Sequence, residues 1–176
     1  MKKIMICGYR DWAYDLFKLT EYNFDGQAEI IYIDDNEELD LIVTKYNPDI
    51  IFFVGWSWIV SDELINKYEC VCLHPSPLPK YRGGSPIQNQ LIMGETKSAV
   101  TLFEMTDELD AGDILFQEEF SLDGDLYEIL GRIVKIGSNG ISKIIEGDYE
   151  GRKQDKTEAT FFSRRTKEMS EIKISD

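Results

Sequence analysis

Ile50-Ile51-Phe52-Phe53-Val54 is an unbroken apolar run set between the break Asn47-Pro48-Asp49 and Gly55. A strand without polar alternation is covered on both faces, as in a parallel sheet sandwiched between helices. The flanking sequence repeats the theme. Upstream, Ile4–Cys7 is a short apolar run that meets Gly8, and Trp12, Leu16, Phe17 and Leu19 after it suggest an amphipathic helix. Glu29–Ile33 reads as a strand and Glu37–Tyr46 as a helix with Leu39, Leu41, Ile42 and Val43 apolar. Downstream, Ser61–Tyr68 reads as a helix and Glu69–His74 as a strand. Three or four successive βα units predict an α/β fold, a doubly wound and mostly parallel sheet with helices on both faces. Ligands of such a sheet bind at the carboxyl ends of its strands.

The second half changes style. His74-Pro75-Ser76-Pro77-Leu78-Pro79 packs three prolines into six residues, which forbids helix and central strand and makes a stiff loop after a buried strand. Tyr81–Pro86 prolongs that loop, and Ile87–Met93 is helical. Ala99–Met105 and Ile114–Phe120 read as strands around the turn Thr106–Asp113. Asp125 and Glu128 resemble a capping box, followed by a long core helix through Ile144 and Ile145. Residues 1–149 form the expected domain. Residues 150–176 are a short polar extension with no second core, in which Glu158–Phe162 fits one edge strand.

Composition narrows the function. The 176 residues are 43% hydrophobic and 30% charged, the balance of a globular chain rather than a disordered one. Nineteen Lys and Arg against 33 Asp and Glu give a net charge of −14, and residues 150–176 hold only seven of the basic residues. No positive face emerges, so nucleic acid is not an expected ligand. No apolar run reaches the length of a membrane span. Met1–Gly8 lacks the length and cleavage site of a signal peptide, so a cytoplasmic protein is expected. Cys7, Cys70 and Cys72 are an odd count, and Cys70 and Cys72 share one strand face, so reduced thiols fit best.

His74 is the only histidine, and it stands where a strand ends and the proline loop begins. That is the ligand end of the sheet, although a hydrogen-bonded structural histidine satisfies the position equally well. A catalytic imidazole needs a carboxylate to fix its tautomer and favour its protonated form. Asp107, Glu108, Asp110 and Asp113 all lie in the turn before Ile114, and spacing alone does not choose among them. Cys72 and His74 begin a metal site only in part, because no further histidine exists and the other cysteines are poorly spaced; no metal is expected.

Leu73–Pro86, then Gly94-Glu95, Ala99-Val100-Thr101 and Leu109-Asp110-Ala111-Gly112-Asp113-Ile114, resemble in order and spacing the formyltransferases that use 10-formyltetrahydrofolate. The likeness covers about residues 1–147. It implies a Rossmann-like catalytic domain, with the catalytic histidine at His74 and the catalytic aspartate at Asp110. The family's third catalytic residue, an asparagine, falls on Cys72, and a thiol is a weak donor. Phe103 likewise stands where the family commonly has histidine. By the same resemblance Trp56, Trp58, Ile59 and Val60 line the pterin slot, with Thr106 and Asp107 completing it through main-chain atoms. A tryptophan-capped core edge is the alternative. Lys80, Tyr81 and Arg82 resemble the loop near the acceptor, with Arg82 toward an anionic group, or else form a solvated basic loop.

Ala159–Glu168 resembles a Tyr-x-x-Arg-Arg-Thr-Pro-Glu stretch of the amino-sugar N-formyltransferases, which makes a small-molecule amino sugar the expected acceptor. That branch often forms homodimers, and the polar extension is long enough to reach a neighbour. Three functions stand: an amine formyltransferase, a formyl-folate hydrolase in which water replaces the amine, and a catalytically impaired folate or sugar binder in which Cys72 marks the loss.

Overall fold

Alternation in the first strand sorts the molecule into layers. In the computed structural model, which describes residues 1–170, β1 (Lys2–Cys7) points Ile4 and Ile6 to one side and Met5 and Cys7 to the other. The two-residue period of a strand requires this. α1 (Asp11–Asn23) covers the Ile4 side, and β2 (Ala28–Ile33) returns to pair with β1 in parallel. α2 (Leu39–Tyr46) leads to β3 (Ile50–Val54), and α3 (Asp62–Lys67) leads to β4 (Glu69–His74). Both new ladders are parallel. Every residue of β3 is buried, as its apolar run predicts.

After β4 come β5 (Arg82–Gly83), α4 (Pro86–Ile92), β6 (Lys97–Glu104) and β7 (Ile114–Ser121). The main sheet runs β2-β1-β3-β4-β6-β7. β6 pairs antiparallel with both β4 and β7 and is therefore the one reversed strand of the six. α5 (Leu126–Glu146) packs beside α1 on one face, and α2 and α3 cover the other. α5 starts at the capping box read in the sequence, with Glu128 N–H donating to Asp125 and Asp125 N–H to Glu128. Such a cap contributes about 1 kcal/mol. The expected Rossmann-like, mostly parallel sheet is the one observed.

Three segments differ from expectation. α2 begins at Leu39 rather than Glu37, because Glu37 N–H donates to the Asp35 side chain and so turns the chain before the helix. Arg82–Gly83 is a two-residue strand within the loop, paired in parallel with β8 (Phe161–Phe162). The expected edge strand over Glu158–Phe162 thus shrinks and leaves the main sheet, since Lys156–Glu158 is a 3-10 turn capped by the Asp155 side chain.

The polar extension folds back instead of projecting. Arg82 N–H donates to Thr160 O, Gly84 N–H to Phe162 O and Thr160 N–H to Pro79 O. Tyr81 stacks on Phe162 with ring centroids 4.8 Å apart. A loop stiffened by prolines leaves backbone groups unpaired, and residues 152–165 supply partners for them. Among the described residues no helix is long and apolar enough to cross a membrane, and no group of three or more His, Cys, Asp or Glu is placed to hold a metal.

Candidate active site

β4 carries Cys70, Cys72 and His74 on one face, and the proline loop then folds back over the last of them. Ser76 Oγ donates to Lys80 O, and Thr101 Oγ1 donates to Ser76 O, which ties the loop to β6. The loop so held presents the Tyr81 carbonyl 2.7 Å from His74 Nε2. A carbonyl only accepts, so Nε2 carries a hydrogen. Nδ1 is then the free ring nitrogen, and it faces Asp110 Oδ2 at 3.9 Å, with the side chains 8% and 12% exposed. That separation is too long for a hydrogen bond and is an ion pair only when the imidazole is protonated.

Asp110 sits in the left-handed region at φ 51°, and its Oδ2 accepts from Gly83 N–H at 2.8 Å. The choice that spacing left open is made by geometry. Glu108 lies 4.0 Å from Arg82 and 3.3 Å from Lys156, Asp113 pairs with Lys153, and Asp107 is exposed. Only Asp110 approaches the imidazole among the described residues.

Cys72 packs with Leu78, Phe103, Ile114 and Met105. Its thiol donates weakly to Leu73 O. Burial, aided by the charge of Asp110, pushes the thiol's pKa up, which keeps it protonated and removes it as a nucleophile at neutral pH. Phe103 is its direct partner across the β4–β6 ladder.

Trp56 and Trp58 meet edge-on beyond the end of β3, and Tyr9 packs on Trp58 at 4.6 Å. Trp56 Nε1 is buried with no hydrogen-bond partner. Ile59 is 96% exposed. Val60 departs from expectation: it is buried among Met5, Ile51 and Leu64 and lines core rather than a slot. Thr106 and Asp107 lie in an exposed turn.

The expected acceptor loop is also corrected. Lys80 is exposed, but Tyr81 and Arg82 are buried because residues 154–162 cover them. The Tyr81 hydroxyl donates to Glu95, and the Arg82 guanidinium donates to Gln154 Oε1 through Nε and Nη2. Arg82 is a buried structural cation and not a surface receptor for an anion. Gln154 is a site residue that sequence reasoning missed. Its Nε2 donates to Asp110 O at 2.9 Å and Gly112 O at 2.8 Å. A single glutamine in a polar stretch carries no periodic or spacing signal that would reveal this.

A family profile described as formyl transferase matches residues 32–141. The chain belongs to that family. His74 and Asp110 both lie inside the matched residues, whereas Gln154 lies outside them. The methionyl-tRNA formyltransferase of a Sulfurihydrogenibium species is 32% identical over 151 residues, which is 81% of this chain and 49% of that protein. The chain thus spans about half the length of the sequence relatives it matches. The structure of methionyl-tRNA formyltransferase from Clostridium thermocellum superposes with a TM-score of 0.91 at 32% identity, over 98% of this chain and 77% of that one. A formyltransferase from Anoxybacillus kamchatkensis, solved with UDP-4,6-dideoxy-4-formamido-L-AltNAc and tetrahydrofolate, shares the fold at 23% identity and a TM-score of 0.71, over 92% and 85% of the two chains.

Proposed function

We propose that this formyl transferase moves a formyl group from 10-formyltetrahydrofolate to the primary amine of an amino sugar, either nucleotide-linked or a precursor of a nonulosonic acid. The observation that carries the reading is the imidazole of His74, fixed through Nε2 and facing the Asp110 carboxylate through Nδ1. An amine attacks a carbonyl only through its lone pair and must shed a proton as the new bond forms. Nδ1 is the site that accepts it, and the same proton passes on to the nitrogen that departs as the donor's formyl carbon–nitrogen bond breaks. The Asp110 carboxylate faces Nδ1, and the bond from Nε2 to Tyr81 O stops the ring from turning away. The imidazolium so formed is also the positive charge available to a developing oxyanion, since Cys72 offers only a thiol engaged elsewhere.

The residues fit a folate. Trp56 Nε1 is a buried donor in need of an acceptor, next to the exposed aromatic surface of Trp58, and buried donors of this kind are satisfied in a working site. Trp56, Trp58 and Ile59, with the Thr106-Asp107 turn, are the groups that would hold it. When bound, formyl-folate supplies the one-carbon unit.

A hollow of about 410 Å³ at the carboxyl ends of β1 and β2 supports a sugar acceptor. Tyr9, Tyr14 and Tyr32 offer flat faces there, and Asp11, Asp15 and Asp34 accept from hydroxyls. β1 stands two strands from β4, about 10 Å away at the usual strand spacing. An acceptor that fills the hollow and reaches His74 is therefore extended, as a nucleotide sugar is. The net charge of −14 opposes a large polyanion. The methionyl amine of a charged tRNA is the second reading, favoured by the identity of the sequence relatives.

The test is tetrahydrofolate release measured with free amino sugars, nucleotide amino sugars, methionyl-tRNA or no amine. Release only with an amino sugar is expected, and His74→Ala should lower it by at least about 100-fold. Release only with methionyl-tRNA selects the second reading. Release without any amine indicates a hydrolase, and folate binding with no release indicates a binder; either defeats the transferase.

A further inference from the structure

We infer that Gln154 is a positioning residue for the His74–Asp110 pair, a role that rests on the catalytic reading of that pair. The residue is 9% exposed, and its side-chain amide uses its full hydrogen-bonding capacity. Oε1 accepts from Arg82 Nε at 3.2 Å and Nη2 at 2.8 Å, and Nε2 donates to the carbonyls of Asp110 and Gly112. The orientation of the amide is fixed chemically, because guanidinium groups only donate and carbonyls only accept.

These bonds close a ring around the imidazole. Tyr81 O holds His74 Nε2, Gly83 N–H holds Asp110 Oδ2, and Arg82 lies between Tyr81 and Gly83 in the chain. Gln154 joins Arg82 to the backbone on both sides of Ala111. Asp110 is an L-residue at φ 51°, a conformation that persists only where its surroundings enforce it. Gln154 supplies that enforcement from outside the loop. Without its two donors the turn relaxes, and the Asp110 carboxylate leaves its place opposite Nδ1. The loop bearing Tyr81 O and the turn bearing Asp110 move as one unit because one amide bonds both.

Gln154→Glu separates this role from plain packing. The carboxylate keeps an acceptor for buried Arg82 but replaces the N–H donors with an oxygen aimed at two carbonyls. His74 is the only histidine, so its imidazole ¹⁵N signals are unambiguous and need no activity to be read. In folded Gln154→Glu these signals should move toward their positions in Asp110→Asn, kcat should fall by on the order of 10–100-fold with KM little changed, and adding Asp110→Asn should cost little more. Unmoved imidazole signals overturn the proposal, as does an unaltered kcat where the wild type is active. Moved signals in a protein whose wild type releases no tetrahydrofolate sustain the positioning role while sinking the transferase reading. If Gln154→Glu does not fold, Gln154→Asn, one methylene shorter and unable to span both partners, is read by the same signals and criteria.

Discussion

Cys72 and Phe103 face each other across the β4–β6 ladder, so the two departures from the family pattern read in the sequence are one contact rather than two independent changes. Each side chain supplies the apolar surface that the other needs. Cys72→Asn alone puts an amide against Phe103, Leu78 and Met105 and should cost about 1–3 kcal/mol, the penalty of a buried polar group without a partner. Combined with Phe103→His, the asparagine gains a cross-strand partner, and both stability and tetrahydrofolate release should exceed those of Cys72→Asn. Denaturant melts and turnover of the single and double variants check this; equal values in the two would refute the coupling. At this scale the sequence was legible in part. The approach of His74 to Asp110, 36 residues apart, is expected only through the resemblance, because motif order survives where geometry is invisible. The burial of Arg82 was not found, since a basic residue in a loop reads as solvated unless its covering segment is known.

Among the elements, the turn from Thr106 to Asp113 depends on Gly112. A Cβ there would overlap the carbonyl oxygen of Glu104, a residue whose own N–H donates to Asp113 O. Gly112→Ala must therefore push the turn off β6 and carry Asp110 with it. The expected result is a loss of about 1–3 kcal/mol, as in other overpacked sites, together with a fall in activity larger than the fall in stability explains. Wild-type stability and turnover in Gly112→Ala would contradict the close approach. The βα units were readable because each strand is a run of apolar residues and each helix has its own stripe, both local signals. Residues 150–165 were not. Their bonds run from polar side chains and backbone to partners 40 to 80 positions upstream, and no local pattern encodes such pairing.

For the molecule as a whole, burial opposes ionisation of several weak acids. It pushes Cys70 from 9.0 to about 12 and Tyr32, Tyr46 and Tyr81 from 10.0 to about 12, and it raises Cys7 and Cys72 as well. The unfolded chain gives up these protons first, so their contribution is intact below pH 9 and is lost as the pH climbs toward about 12. Calorimetric melting temperatures should fall progressively through that window, and a level profile there would show that these groups are not shielded. Sheet, helices and strand direction follow from the first 149 residues, yet the covering of the Tyr81 loop does not. A nascent chain emerging from the ribosome thus holds its imidazole and its carboxylate long before it has the means to hold them still. Until residue 165 has left the exit tunnel, His74 and Asp110 are both present, but the bonds from Gln154 and Thr160 that tie the loop to the turn are not.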